Sequence, residues 1–198
     1  LIISSNPRQD KILSLLKEKA LKNGVKLTKI TKEEISKIEQ NLVCSSCLFS
    51  EHTAVINPND LMLNFINDIK LNSGTIRYNF EVTNIMKKNG YISFSVNHKK
   101  EIFKTKYLIN CAGLGSFNLI KLIKNYPTKT LPNIRYIKGN YMIYKGKNPF
   151  SKLIYPLPNT DGLGIHSTIQ FDGSTIFGPD SRETKDINFQ NSSNIKDI

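Results

Sequence analysis

The residues of this 198-residue chain whose types could do chemistry are few: three histidines, three cysteines and one glycine-rich turn. His52, His98 and His166 are scattered. An imidazole works near neutral pH and can take a proton from a hydroxyl group. His166 lies in the alternating run Gly162-Leu163-Gly164-Ile165-His166-Ser167-Thr168 and on its own reads first as a half-buried strand histidine. Cys44-Ser45-Ser46-Cys47 has the spacing of a redox or metal pair. A zinc site needs two further ligands at matched spacing, and a thioredoxin-like pair opens a helix after a strand. Here the pair leads into Leu48-Phe49, a strand-like run, so neither a redox role nor a metal site is expected. Three unpaired thiols point to a reducing compartment, hence a cytoplasmic location.

Gly113-Leu114-Gly115-Ser116-Phe117-Asn118 follows an apolar run and opens a helix-like segment. It is a near miss to the dinucleotide fingerprint: the last position is Asn, and no carboxylate follows until Asp161, far beyond the ribose-binding distance of about 20 residues. The turn is therefore not a primary nucleotide loop. It still permits close backbone approach of an anionic group, or it is a plain strand-to-helix turn.

The elements that must carry these residues are readable from periodicity. Leu1–Ser4 reads as a strand, and Asn6-Pro7 starts a helix with Ile12, Leu15, Leu16 and Ala20 on its apolar face. Asn23-Gly24 stops that helix. Thr31-Lys32-Glu33-Glu34 is a capping box for a short second helix through Gln40. Residues 42–56 alternate as one or two strands. Asn57-Pro58 opens a third helix with Leu61, Phe65 and Ile69 aligned. Then the period becomes two: Ile76, Tyr78, Phe80 and Val82 on one strand face, Asn89-Gly90 as a hairpin, Ile92, Phe94 and Val96 after it, a turn over 97–100, and a strand over 102–106. Tyr107-Leu108-Ile109 is continuously apolar, as in a strand buried on both faces. Leu119, Ile120 and Ile123 form the inward side of the following helix, and Pro127 and Pro132 mark a linker. Beyond it strands are expected over 134–144, 152–156, 162–170 and 173–178, then a polar tail from Ser181 without period. The chain mixes α+β and α/β character.

The 28 basic residues outnumber the 16 acidic ones, for a net charge of +12. Only four of the cations are Arg; Lys, Asn and Ile together make up 72 of 198 residues, a global bias rather than a patch. No nucleic-acid partner is expected, because base and phosphate recognition favours Arg. Residues 1–150 hold 24 basic and 10 acidic groups, and 151–198 hold 4 and 6. Between Glu101 and Asp161 there is no carboxylate, so that middle stretch suits an anionic small molecule or a phosphate-bearing cofactor. The start at Leu1-Ile2-Ile3, without Met and inside an apolar run, leads to the expectation that this is an internal stretch of a longer protein.

Two segments carry a resemblance. One is Tyr107-Leu108-Ile109-Asn110-Cys111-Ala112-Gly113-Leu114. The other is Leu153-Ile154-Tyr155-Pro156-Leu157-Pro158, then Gly162-Leu163-Gly164-Ile165-His166-Ser167-Thr168, then Phe177-Gly178-Pro179-Asp180. Together they resemble the FAD-dependent oxidoreductases of the D-amino-acid oxidase-like (DAO) family, nearest to its L-2-hydroxyglutarate oxidase/dehydrogenase branch. The resemblance spans essentially the whole chain but only the middle of a family member. It implies that the N-terminal FAD loop and the C-terminal part lie outside these residues. Cys111 stands where Ala is usual. Lys138-Gly139-Asn140-Tyr141 stands where Arg-Gly-x-Tyr is expected, which keeps a charge but loses the planar fork. His52-Thr53-Ala54 replaces a Ser/Thr-Gly pattern.

What the resemblance implies is specific. The fold would be part of a three-layer FAD-binding domain plus an antiparallel-sheet substrate domain, divided as 1–56 (substrate), 57–127 (FAD) and 128–198 (substrate). Val82, Ala112, Gly113 and Leu114 would bind FAD. His166 would be the catalytic proton acceptor. Lys138, Tyr141 and Tyr155 would bind substrate, with Tyr141 and Tyr155 on neighbouring strands. The activity would be oxidation of a CH–OH group in a small anionic 2-hydroxy acid such as 2-hydroxyglutarate, by hydride transfer to FAD. Electrons would pass to oxygen or a quinone-linked carrier, the latter compatible with peripheral contact at the inner membrane. Residues 1–198 alone would bind FAD weakly and be inactive. An amino-acid, amine or glycerol-3-phosphate oxidase of the same fold stays open, as do a lysine-rich interaction or nucleic-acid module and an inactive fragment.

Overall fold

The computed structural model describes residues 1–97, 101–158, 162–185 and 187, so His98, most of the expected 97–100 turn, Asp161 and the end of the tail lie outside the described residues. The chain divides into two compact units, Leu1–Pro58 with Arg135–Ile198, and Asn59–Ile134.

The first unit begins with β1 (Ile2–Ser4), α1 (Pro7–Lys22), β2 (Thr28–Ile30), α2 (Lys32–Ile38) and β3 (Ser46–Phe49). The local signals act as expected. Asn6 caps α1 by accepting from the Gln9 N–H, with Pro7 in the first turn, and Thr31 and Glu34 close a reciprocal capping box on α2. β3 lies between β1 and β2, antiparallel to both. Its alternating side chains are buried on both faces. Cys47 packs with Ile35 of α2, Leu1 and Ile154, while Leu48 packs with Leu13 of α1 and Leu27. Burial pushes the Cys47 thiol up to about 11 and raises that of Cys44. A thiol held protonated is neither nucleophile nor metal ligand. Residues 42–56 hold one strand, β3. The face of α1 also differs from the periodicity reading. Leu13, only 1% exposed, is the inward anchor, and Leu16 and Ala20 are half-buried, whereas Ile12 and Leu15 (63% exposed) turn outward. The helix is rotated because Asp10 is pulled toward the sheet by the hydroxyls of Ser4 and Ser45, which donate to its two carboxylate oxygens.

The same unit continues with β7 (Tyr136–Lys138), β8 (Met142–Tyr144), β9 (His166–Ile169), β10 (Thr175–Gly178) and β11 (Arg182–Thr184). The tail expected to be aperiodic from Ser181 thus contains a strand. β11 pairs with β7, and Arg135 grips Glu183 through two N–H groups at 3.2 and 2.8 Å. β10 lies between β8 and β9. Residues 153–155 join the two three-stranded sheets. On one edge Ile154 exchanges hydrogen bonds with Ser167 of β9 (3.2 and 2.9 Å). On the other, Tyr155 N–H donates to Leu1 O and Ile3 N–H donates to Tyr155 O, both at 2.8 Å. The order is then β8-β10-β9-(153–155)-β1-β3-β2. Buried Glu39 fastens this ribbon from α2, accepting from the Ser151 N–H at 2.8 Å and its hydroxyl at 2.7 Å.

Two motif segments interlock beside the ribbon. A Cβ at Gly139 would sit 2.6 Å from Pro179 Cβ, and one at Gly178 would sit 2.7 Å from Asn140 O and 2.8 Å from the Tyr141 ring. The two backbones therefore approach as only glycine allows. Asp180 locks the crossing: its carboxylate accepts from the Asn140 N–H at 2.6 Å and from Asn140 Nδ2, and its own N–H donates to Asn140 O at 3.1 Å.

The second unit holds α3 (Pro58–Leu71), the meander β4 (Val82–Lys88), β5 (Tyr91–Val96) and β6 (Ile102–Thr105), and, after a 3-10 turn over Gly113–Gly115, α4 (Ser116–Lys121). The Asn89-Gly90 hairpin forms with both residues at positive φ (52 and 76°). Ile85 of β4 bonds on its outer edge to Leu122 O and Lys124 N–H. Phe80, Phe94 and Phe103 cluster on the sheet. Two expectations fail here, and the third helix forms where expected but without a buried face. The strand expected from Ile76 starts only at Val82, because Asn79 adopts φ 54° and is clamped by Asn97 Nδ2. Tyr107-Leu108-Ile109 is not a buried strand; Tyr107 and Ile109 are each 83% exposed and no described strand pairs with them. α3 buries none of its residues, so Phe65 and Ile69 have no core to face. Sequence alternation and apolarity act only where a partner surface exists to receive them. All named ladders are antiparallel, and the mixture of helices with antiparallel sheets is α+β.

Three outcomes test this account in the purified protein carrying this chain. Leu13→Ala lowers stability by about 2–5 kcal/mol, while Leu15→Ala stays within about 0.5 kcal/mol, as read by urea unfolding. Iodoacetamide at pH 8 alkylates exposed Cys111 and spares Cys47 until the chain is unfolded, as read by peptide mass mapping. The Asn140 hydrogen bonds hold the Asp180 carboxyl below its ordinary value. Its contribution is therefore present above the unfolded-state value and is lost as pH falls through the lower folded one. Asp180→Asn removes that part of the acid limb in a plot of stability against pH.

Candidate functional site

A cavity of about 880 Å³ opens in the first unit where the interlocked segments meet the run before β9. Ile137, Gly139 and Tyr141 form one wall, Pro156 and Leu157 a second, and Gly164, Ile165 and His166 a third; Pro179, Asp180 and Ser181 close it. The lining is mostly apolar with few polar groups, the usual composition of a small-molecule site. His166 opens β9 directly opposite Gly178 of β10, the residue against which Tyr141 packs. This register brings Tyr141 and His166 to one cavity.

The His166 ring is held from two sides. Its Nδ1 lies 3.0 Å from Gly164 O. Its face stacks on Tyr155, with centroids 4.6 Å apart and planes 19° from parallel. Tyr155 in turn is set by the ribbon that bonds to β1.

Two of the expected substrate residues sit differently. Lys138 is not part of the described lining. Ile137 and Gly139 on either side of it are, and strand alternation turns Lys138 to the opposite face, where it stands across from Arg182. Tyr141 and Tyr155 are not on neighbouring strands: β10 and β9 stand between β8, which follows Tyr141, and the 153–155 ribbon. Tyr155 reaches the site through its stack on His166. Sequence reading missed Ile137, Leu163, Ile165 and Ser181 as lining, because apolar residues in short strands carry no signal of which cavity they will face. It also missed the Asn140–Asp180 lock. The Gly-Pro-Asp run was the available signal.

The residues expected to hold FAD lie in the second unit. Val82 begins β4, half-buried and opposite Val96. Ala112, Gly113 and Leu114 form an exposed turn. Asn110 shapes it by accepting from the Ala112 N–H at 3.2 Å and donating to Ser116 O at 2.9 Å. Gly113 has φ 55°, and nothing lies within 4 Å of where its Cβ would be. An open backbone turn with no side chain filling the space before it fits the close approach of a dinucleotide. Among the described residues no group of His, Cys, Asp and Glu could hold a metal ion, and no helix is long and apolar enough to cross a membrane.

Comparison with known proteins gives this geometry its frame. Residues 1–197 match the model of the family described as FAD dependent oxidoreductase, DAO. L-2-hydroxyglutarate dehydrogenase, mitochondrial, of Homo sapiens is 30% identical over 199 residues, covering 91% of this chain and 42% of that protein. A glycerol 3-phosphate dehydrogenase of Caloramator mitchellensis is 24% identical over 191 residues, 94% of this chain and 38% of that protein. Among solved structures, the FAD-bound L-alpha-glycerophosphate oxidase of Mycoplasma pneumoniae superposes with a TM-score of 0.79 at 23% identity, over 93% of this chain and 50% of that one. The chain thus spans about half the length of the relatives it matches. A family match over nearly every residue, joined to a fold shared with solved flavoproteins, establishes that this chain belongs to the DAO family of FAD-dependent oxidoreductases.

Proposed function

We propose that the protein carrying this chain oxidises a small 2-hydroxy acid of the 2-hydroxyglutarate kind at its alcohol carbon. The observation that carries the reading is the imidazole of His166, braced by Gly164 O and Tyr155 on the wall of the cavity. FAD, when bound, supplies the acceptor for the hydride leaving the alcohol carbon. The work of this chain's residues is proton transfer and orientation. His166 takes the hydroxyl proton as the C–O bond becomes a carbonyl, and a 2-oxo acid remains. Tyr141 and Ser181 offer hydroxyl donors to the acid. Asp180, although in the lining, has its oxygens taken by Asn140. The turn at 112–114 and Val82 would hold parts of FAD. The electron acceptor of the whole protein would be oxygen or a quinone-linked carrier.

The relatives named as L-2-hydroxyglutarate dehydrogenases support this substrate class. A second reading, oxidation of glycerol 3-phosphate, is favoured by the Caloramator relative. The full-length flavoprotein separates the two. L-2-hydroxyglutarate is expected to bleach the oxidised flavin absorbance under anaerobic conditions, and glycerol 3-phosphate is not; the opposite result selects the second reading. His166→Ala is expected to lower kcat by about 100-fold or more with flavin retained. Unchanged kcat removes His166 as the proton acceptor.

A further inference from the structure

We propose that Gly164 is a positioning residue for this reaction: its carbonyl holds His166 as the Nδ1–H tautomer and leaves Nε2 as the nitrogen that takes the substrate proton. The inference rests on the reading of His166 as proton acceptor. It starts from the 3.0 Å separation of His166 Nδ1 and Gly164 O. A carbonyl oxygen only accepts, so Nδ1 carries the hydrogen. A neutral imidazole carries one hydrogen, so Nε2 keeps its lone pair. His166 lines the cavity, and with Nδ1 engaged, Nε2 is the ring nitrogen left to meet a hydroxyl there.

The backbone makes this arrangement specific. Residues two apart in an extended strand do not join side chain to carbonyl, because the carbonyls lie in the plane of the sheet. Gly164 leaves the extended region, at φ 74°, just before β9 begins, and this frees its carbonyl to turn toward the ring. A Cβ at Gly164 would lie 2.8 Å from Pro156 Cγ, so glycine is required for both conformation and space. Pro156 follows Tyr155, whose ring stacks on His166. One short segment, Tyr155-Pro156, therefore sets both the plane of the imidazole and the place of the carbonyl that selects its tautomer. The charged or titratable groups in the described cavity wall besides His166 are Tyr141 and Asp180, and Asp180 is bound to Asn140. Among the described residues neither bonds to the ring, and the Gly164 carbonyl is the partner that sets the tautomer.

The test is nitrogen-15 NMR of histidine-labelled full-length flavoprotein, with His166→Asn identifying the resonances. In the neutral wild-type form, Nδ1 is expected to be protonated and Nε2 bare. Gly164→Ala is expected to yield the other tautomer or a mixture and to lower kcat by about tenfold or more, with FAD content unchanged. An Nε2–H tautomer in the wild type overturns the proposal without recourse to any variant, so a poorly folding Gly164→Ala does not shelter it. Retention of both the Nδ1–H signature and kcat in Gly164→Ala also overturns it. The two readings fail separately. The wrong wild-type tautomer refutes the hold by Gly164 whatever the turnover, whereas undiminished kcat in His166→Gln removes the proton acceptor and with it the role assigned to Gly164.

Discussion

The first unit depends on one two-edged ribbon. Residues 153–155 spend their backbone groups in both directions, toward Ser167 of β9 and toward β1. An unpaired buried amide or carbonyl is costly, so the ribbon can sit between two sheets only if both edges are satisfied together. That requirement ties the start of the chain to residues some 150 positions later and makes one sheet out of two. Ile154 joins the core on one face, beside Cys47 and Ile35. Tyr155 carries the consequence to the other side, onto His166. The chemistry of the site therefore inherits its rigidity from a hydrogen-bonded seam rather than from a loop.

The interlock of Gly139 and Gly178 is the second constraint. Backbones that approach within the space of a missing Cβ cannot slide past one another without collision. Asp180 then closes the crossing with charge-assisted hydrogen bonds to Asn140. The result places Tyr141 over Gly178, and the β9–β10 register places Gly178 opposite His166. Residues from stretches distant in sequence, 137–141, 156–157 with 162–166, and 179–181, thereby share a cavity. The carboxylate in that cavity is bound to Asn140, and the imidazole is the group to which we assign the proton transfer.

Capping and hairpin chemistry were legible in the residues themselves. Asn6-Pro7, the Thr31–Glu34 box and Asn89-Gly90 all do locally what their types require. So was the family, because Tyr-Pro-x-Pro, Gly-x-His-x-Thr and Gly-Pro-Asp are the pieces that build the ribbon, the imidazole brace and the interlock. Facing was less legible. The choice of Leu13 over Ile12 and Leu15 as the anchor of α1 was made by Asp10 binding Ser4 of β1 and Ser45 just before β3, contacts invisible to helical periodicity. The strand reading of 76–81 broke on Asn79, whose left-handed backbone is paired to Asn97 across the turn. Tyr107-Leu108-Ile109 and α3 show the limit from the other side: apolar patterns state a need for burial, and no described element of this chain meets it.

The sequence by itself determined which chemistry was available: one histidine in a glycine-flanked strand, thiols without ligand partners, and a glycine turn without the carboxylate of a full dinucleotide site. It also determined the local starts and stops, since caps and tight turns involve residues within four of one another. Only the tertiary structure decided that Lys138 turns away from the cavity, that Tyr155 stacks on His166, and that the carbonyl of Gly164 meets Nδ1. The reason is range. A cap or a hairpin is settled by neighbours along the chain. The direction of a side chain, and the tautomer of a ring, are settled by whichever distant backbone arrives with an unspent donor or acceptor.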